Sequence, residues 1–92
     1  MNAASAGDVS LPDQLLELLA GVAPDVDPAA VRHDLEFRDQ FDFDSMDLLN
    51  FATAIHARFG IDVPERDYRR LASIDLCVAY LRERVPVLGG SA

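Results

Sequence analysis

Apolar residues recur at three- and four-residue spacing in successive stretches of the chain, and nowhere do they alternate with the two-residue period of a half-buried strand. The first stretch sets Leu11, Leu15, Leu18, Leu19 and Val22 on one helical face. Ser10 stands where an N-cap belongs, Pro12 and Asp13 fall in the first turn, and Pro24 stops the helix. A second helix is predicted to start at Asp44 or Ser45 and run to Phe59, with Leu48, Phe51, Ala52, Ile55 and Phe59 as its apolar stripe and Gly60 suited to the C-cap. After Ile61, Asp62 and Val63, Pro64 opens a short third helix of about two turns, Glu65 to Leu71. Its acids lead and Arg69 and Arg70 follow, as the helix dipole prefers. Ser73 caps a fourth helix whose inward positions are Ile74, Cys77, Val78, Leu81 and Val85, and Pro86 follows its last turn.

Between the first two helices lies a connection of about twenty residues, Ala23 to Asp44, longer than a compact domain usually tolerates without a function or some local structure. Asp27-Pro28 is a plausible start for one helical turn. Val26, Val31, Leu35, Phe37, Phe41 and Phe43 supply apolar side chains to pin the segment to a core, so an ordered loop is expected and not a linker. The resulting fold class is all-α, an antiparallel four-helix bundle with a short third helix and a long loop between helices 1 and 2. With 92 residues there is room for one core, assigned to residues 10–86, flanked by loose tails at 1–9 and 87–92.

Charge sharpens this picture because it is unevenly placed. The formal net charge is −8. Residues 1–47 hold eleven acids and two arginines, whereas residues 48–92 hold five acids and six arginines. Such a field repels nucleic acid and anionic membrane surfaces and suits a partner that presents Lys and Arg, although solubility alone is an equally good reason for it. The leucine-rich stretch from Leu11 to Ala23 is interrupted by Asp13, Gln14 and Glu17, which fits neither a signal peptide nor a membrane span. A single cysteine, Cys77, excludes an internal disulfide and agrees with a cytoplasmic setting; its place on an apolar stripe makes it a core residue. All eight basic residues are arginines, a bias attributed to genome composition.

One segment carries candidate chemistry: Phe43-Asp44-Ser45-Met46-Asp47-Leu48-Leu49. Taken alone, Asp44 and Asp47 read as helix N-terminal residues, the first accepting backbone N–H bonds and the second favouring the positive end of the dipole. Placed at the head of the second helix, after a long acidic loop, the segment resembles the Asp-Ser-Leu attachment site of acyl and peptidyl carrier proteins. The resemblance extends over about Leu11 to Val85, with Phe51, Ile55 and Phe59 at core positions of the second helix. Ile61-Asp62-Val63-Pro64 looks like the family's loop into its third helix, and Leu71, Ser73, Ile74, Tyr80 and Leu81 like its close. It implies a non-enzymatic acyl carrier bearing 4'-phosphopantetheine, taken from coenzyme A, on Ser45; the departures of its second helix from the family pattern point to a specialised lipid or secondary-metabolite pathway. Asp44, Met46 and Asp47 would flank the cofactor, and Phe43, Leu48, Leu49, Thr53 and His56 would meet partners. Those partners would be a phosphopantetheinyl transferase and acyl-loading and acyl-processing enzymes, acting on a monomer that inserts in no membrane, binds no nucleic acid and holds no metal of its own.

Three other readings compete with this one. A hydrolase with Ser45 as nucleophile needs a base within about 3 Å. His56 lies eleven residues along the same helix, about 16 Å away at 1.5 Å per residue, and no Gly-x-Ser-x-Gly elbow accompanies His33. Asp39, Asp42, Asp44 and Asp47 suggest a calcium loop, but counting from Asp42 puts Met46 fifth, Asp47 where glycine is required and Thr53 where a bidentate glutamate belongs. The serious alternative is an unmodified acidic helical adaptor that binds a basic protein.

The sequence also departs from the family pattern. Phe43 stands where a glycine is common, and Met46 replaces the usual leucine. After Asp47 the outward positions of the second helix are Asn50, Thr53, His56, Ala57 and Arg58, a nearly neutral face, and Arg66, Arg69 and Arg70 form a basic patch on the third. Poor service to a housekeeping fatty acid synthase is expected from that face.

Overall fold

The computed structural model describes residues 10–84. Within them the chain forms three α-helices, α1 (Leu11–Val22), α2 (Ser45–Phe59) and α3 (Ile74–Arg84), together with a seven-residue 3-10 helix, Glu65–Leu71, as the short member of a four-helix bundle. No strand occurs among the described residues. The expected caps are in place. The Asp13 amide donates to Ser10 Oγ at 3.3 Å, the Leu76 amide donates to Ser73 Oγ at 3.1 Å, and Gly60 ends α2 in the left-handed region at φ 72°. Val85, expected on the inward face of the fourth helix, lies outside the described residues, as do both tails and Pro86.

α1 packs on α2 and α3, and the 3-10 helix packs on α2 and α3. The core they enclose is made by Leu15 and Leu19 from α1, Phe51 and Ile55 from α2, Leu71 from the 3-10 helix, and Ile74, Cys77, Tyr80 and Leu81 from α3, all fully buried. Burying a side chain of this size removes about 1.5–3 kcal/mol of unfavourable hydration each, which is what holds four short elements together.

Two features differ from the sequence-based expectation. The inward face of α3 includes Tyr80, while Val78 is only partly buried. Tyr80 tolerates full burial because its hydroxyl donates to Asp67 Oδ2 at 2.8 Å and the guanidinium groups of Arg70 and Arg84 lie over its ring, 4.8 and 4.6 Å from the centroid. The third helix is wound as a 3-10 helix, with three residues per turn, so residues three apart eclipse. Tyr68 and Leu71 form the row that faces the core. Asp67 and Arg70 form the row that faces α3, where Arg70 meets Glu83 at 2.6 Å and Asp67 meets Arg84 at 3.1 Å. Arg66 and Arg69 form the third, exposed row. At the α-helical period the three arginines would share one face; the tighter winding divides them.

The long loop is ordered by its own contacts. Asp27 caps a 3-10 turn, Pro28–Ala30, through the Ala29 amide at 3.0 Å, and a second turn, Phe37–Asp39, was not anticipated. The Gln40 amide group ties the segment between them: its Nε2 donates to Arg32 O and Leu35 O, and its Oε1 accepts from the Arg32 amide. Two backbone bonds dock the loop on the bundle, from the Phe37 amide to Ala72 O at 2.8 Å and from the Asp75 amide to His33 O at 3.0 Å. Phe37 is fully buried and contacts Phe41, Phe43 and Phe51 with centroids 5.8, 5.2 and 5.6 Å away. Leu35, by contrast, stays exposed.

Candidate functional site

The loop delivers the chain to α2 at Asp44, and the geometry there follows from one capping box. Asp44 Oδ1 accepts from the amides of Met46 and Asp47, both at 3.0 Å, while Asp47 Oδ2 accepts from the Asp44 amide at 3.0 Å. Both carboxylates are thereby committed to the backbone, and the residue after Asp44, Ser45, becomes the first residue of the helix. Ser45 is exposed, and its hydroxyl makes no hydrogen bond among the described residues. Met46, 59% exposed, stands beside it, and Leu49 follows at 38%. The site is therefore a fixed backbone carrying an unengaged hydroxyl, set in the positive end of a helix dipole where a phosphate ester is favoured by roughly 0.3–1 kcal/mol.

A cleft of about 610 Å³ opens next to the serine, bounded by Arg38 and Phe43 from the loop, Ser45 and Leu48 from α2, and Arg69 and Ala72 from the 3-10 helix and its end. Glu36 and Asp44 complete its rim. The Phe43 ring is half-buried: its contacts with Phe37, Phe41 and Phe51 turn it into the aromatic cluster, so this bulky residue in place of a glycine is absorbed by packing. Its φ is not positive, and no non-glycine residue among those described adopts a positive φ.

This architecture has a counterpart in sequence. The family model for the phosphopantetheine attachment site matches residues 13–81, three quarters of the chain. The chain belongs to the phosphopantetheine-binding acyl carrier family. Among its relatives are an acyl carrier protein of Streptomyces coelicolor, 32% identical over 89 residues that cover 96% of this chain and 97% of that protein, and one of Renibacterium salmoninarum, 30% identical over 71 residues covering 71% and 88%. Acyl carrier protein 2 of Pseudomonas aeruginosa is 30% identical over 61 residues, covering 66% and 77%. Carriers of this family bear 4'-phosphopantetheine and are not themselves catalysts.

The remaining predicted site residues of the carrier fall into two groups. Leu48 and Phe43 line the cleft, and Leu49 lies exposed on the outer side of α2. Thr53 and His56 lie further along α2 and are exposed, but both are engaged within the domain. Thr53 Oγ1 donates to Leu49 O at 3.0 Å, and His56 Nδ1 lies 3.1 Å from Ile61 O, a bond that needs the proton on Nδ1 and fastens the turn after α2. The His33 carbonyl accepts from the Asp75 amide in the first turn of α3. No cluster of three or more His, Cys, Asp or Glu side chains among the described residues is arranged to hold a metal, and no helix among them is long and apolar enough to cross a membrane.

Sequence reasoning overlooked Arg38 and Glu36 as part of this site; they are joined at 3.0 Å on the loop that forms one wall of the cleft. Nothing in their local pattern signals it, because the wall exists only once Phe37 is buried and the Phe37 amide has docked on Ala72 O.

Proposed function

We propose that Ser45 is the residue that carries the 4'-phosphopantetheine arm, and that the chain transports acyl groups as thioesters between enzymes of a specialised lipid or secondary-metabolite pathway. The observation that carries this reading is the unengaged, exposed Ser45 hydroxyl at the first position of a capped helix. Its neighbours fit an esterified serine: Asp44 and Asp47 hold the backbone rigid, the helix N-terminus favours the phosphodiester, and the cleft gives the arm a surface to lie against. When bound, the arm supplies a terminal thiol that forms a transferable thioester. Cys77 is too buried to take that part, and burial pushes its thiol pKa up, away from the reactive thiolate.

A specialised pathway is favoured by the outer face of α2. Asp47 is half-buried and bonded into the cap, and beyond it the face offers Asn50, Thr53, His56, Ala57 and Arg58, the last 3.7 Å from Glu17. An enzyme that docks by Lys and Arg on an acidic helix finds little charge to meet there, which lowers its association rate first. A cytoplasmic monomer modified by a separate transferase completes the reading.

Coexpression with a broad-specificity phosphopantetheinyl transferase followed by mass spectrometry tests the attachment. The expected result is one phosphopantetheine per chain, lost in Ser45→Ala; an unmodified wild-type chain would restore the adaptor reading. Loading of the modified chain by a housekeeping malonyl transferase tests the pathway, and a rate equal to that of the transferase's own carrier would defeat it.

A further inference from the structure

Of the two arginines that line the cleft beside Ser45, one has no ion-pair partner among the described residues. Arg38 is joined to Glu36 at 3.0 Å, and the Asp44 carboxylate is taken up by two backbone amides. Arg70 and Arg84 are paired with Glu83 and Asp67. Arg69 makes no ion pair and no side-chain hydrogen bond among the described residues, although the protein as a whole carries a net charge of −8. The 3-10 winding explains why: it sets Arg69 in the row with Arg66 and Ala72, turned away from the acids of α3. Arg69 and Ala72 then border the same cleft as Ser45, whereas Arg66, one turn earlier in the row, does not.

We infer that Arg69 is a positioning residue that receives the phosphodiester of the arm on Ser45, drawing the arm into the cleft and onto the apolar wall of Phe43, Leu48 and Ala72. This rests on the Ser45 attachment proposed above and adds to it a direction for the arm. A phosphodiester is the one anion that any cargo-bearing state places within a bond of Ser45 Oγ, and a guanidinium offers it paired N–H donors. Because Arg69 is exposed, the bias is modest, roughly two- to five-fold in favour of the docked arm, and screened by salt.

The test uses the full chain converted to its phosphopantetheine form, with conversion verified by mass spectrometry before any other measurement. Phosphorus-31 NMR of the diester is compared for the wild type, Arg69→Gln, Arg69→Lys and Arg66→Gln at low and high salt, with circular dichroism melts to verify that each variant is folded. The expected result is a diester resonance displaced in Arg69→Gln, part-way restored in Arg69→Lys, and unchanged in Arg66→Gln, with the difference shrinking in high salt. Nuclear Overhauser contacts from the arm's geminal methyls to Leu48 and Ala72 should weaken in Arg69→Gln by the same factor. If conversion is complete and Arg69→Gln leaves the resonance and those contacts as in the wild type, the inference is overturned while the attachment stands. A response of Arg69 that appears only after loading a cargo with its own carboxylate would overturn it too, since the anion received would then be the cargo's. Failure of conversion would remove the attachment itself, and the inference with it.

Discussion

Replacing Asp44 by alanine and by asparagine separates what this residue does for the helix from what its charge does for a partner. Asp44 Oδ1 accepts the amides of Met46 and Asp47 at 3.0 Å each, so Asp44→Ala strips both of their only side-chain acceptor. The Asp44 side chain is exposed, so the released amides find water, and the loss should lie near the middle of the range for N-caps, about 1 kcal/mol. Asn and Asp are nearly equivalent as caps, so Asp44→Asn keeps the hydrogen bonds and loses only the charge at the helix N-terminus, worth a few tenths of a kcal/mol in the exposed setting. Urea denaturation should therefore show Asp44→Ala less stable by about 1 kcal/mol with an unchanged m-value, a shift of about 4–8 °C in Tm for a domain of this size, and Asp44→Asn within about 0.5 kcal/mol of wild type. Transferase kinetics on the same proteins then isolate the carboxylate: equal slowing in both variants assigns it a contact with the enzyme, and slowing in Asp44→Ala alone assigns it the cap. The capping argument is refuted if Asp44→Asn is destabilised as much as Asp44→Ala, or if neither differs measurably from wild type.

Other consequences are open to the same assays. Gly60→Ala places a Cβ at φ 72° in open space, so the penalty is backbone strain alone, about 1–2 kcal/mol by denaturation, and Gly60→Asn should lose less. Gln40→Ala removes three hydrogen bonds that fold the loop on itself and should cost about 1–2 kcal/mol, with hydrogen exchange of the Arg32 amide accelerated well beyond that of the α2 amides. Cys77 should resist alkylation in the native protein at a rate set by unfolding. Cys77, through burial, and Tyr80, through burial first and its bond to Asp67 second, hold their protons more tightly in the folded chain. Their stabilisation is complete at neutral pH and is lost as pH rises above about 8.5, where the unfolded thiol ionises first, at up to about 1.4 kcal/mol per pH unit for each group. A urea midpoint series from pH 7 to 10 should show that decline, with its lower part absent in Cys77→Ala.

The α-helices and their caps were legible because each announces itself locally: Ser10, Asp44 and Ser73 sit three residues before or less from the amides they hold, and Gly60 closes α2 where its stripe ends. The place of Ser45 at the start of α2 was legible for the same reason, whereas its part as an attachment point is signalled only by the resemblance of the whole segment to a carrier site. What escaped notice depends on contacts distant in sequence. The turn at Phe37–Asp39 exists because Phe37 is buried among three other rings and its amide reaches Ala72 O, thirty-five positions on. Tyr80 reads as a poor interior residue until Asp67, Arg70 and Arg84 are brought around it.

The arginines of the short helix show how a local period alters function without altering composition. An α-helical turn would gather Arg66, Arg69 and Arg70 into one basic face, suited to a broad contact with an acidic partner. With three residues per turn, Arg70 is withdrawn to Glu83 and Tyr80, and its pKa is raised by that pairing, so it is no longer available to a partner without breaking the contact that joins the 3-10 helix to α3. The acid of the pair, Glu83, is held correspondingly low, so the link persists through the neutral range. Only the outer row remains, and of its two arginines one borders the cleft that opens at Ser45. The same winding that closes the bundle with Tyr68 and Leu71 therefore decides which arginine of this seven-residue segment borders the cleft that holds Ser45.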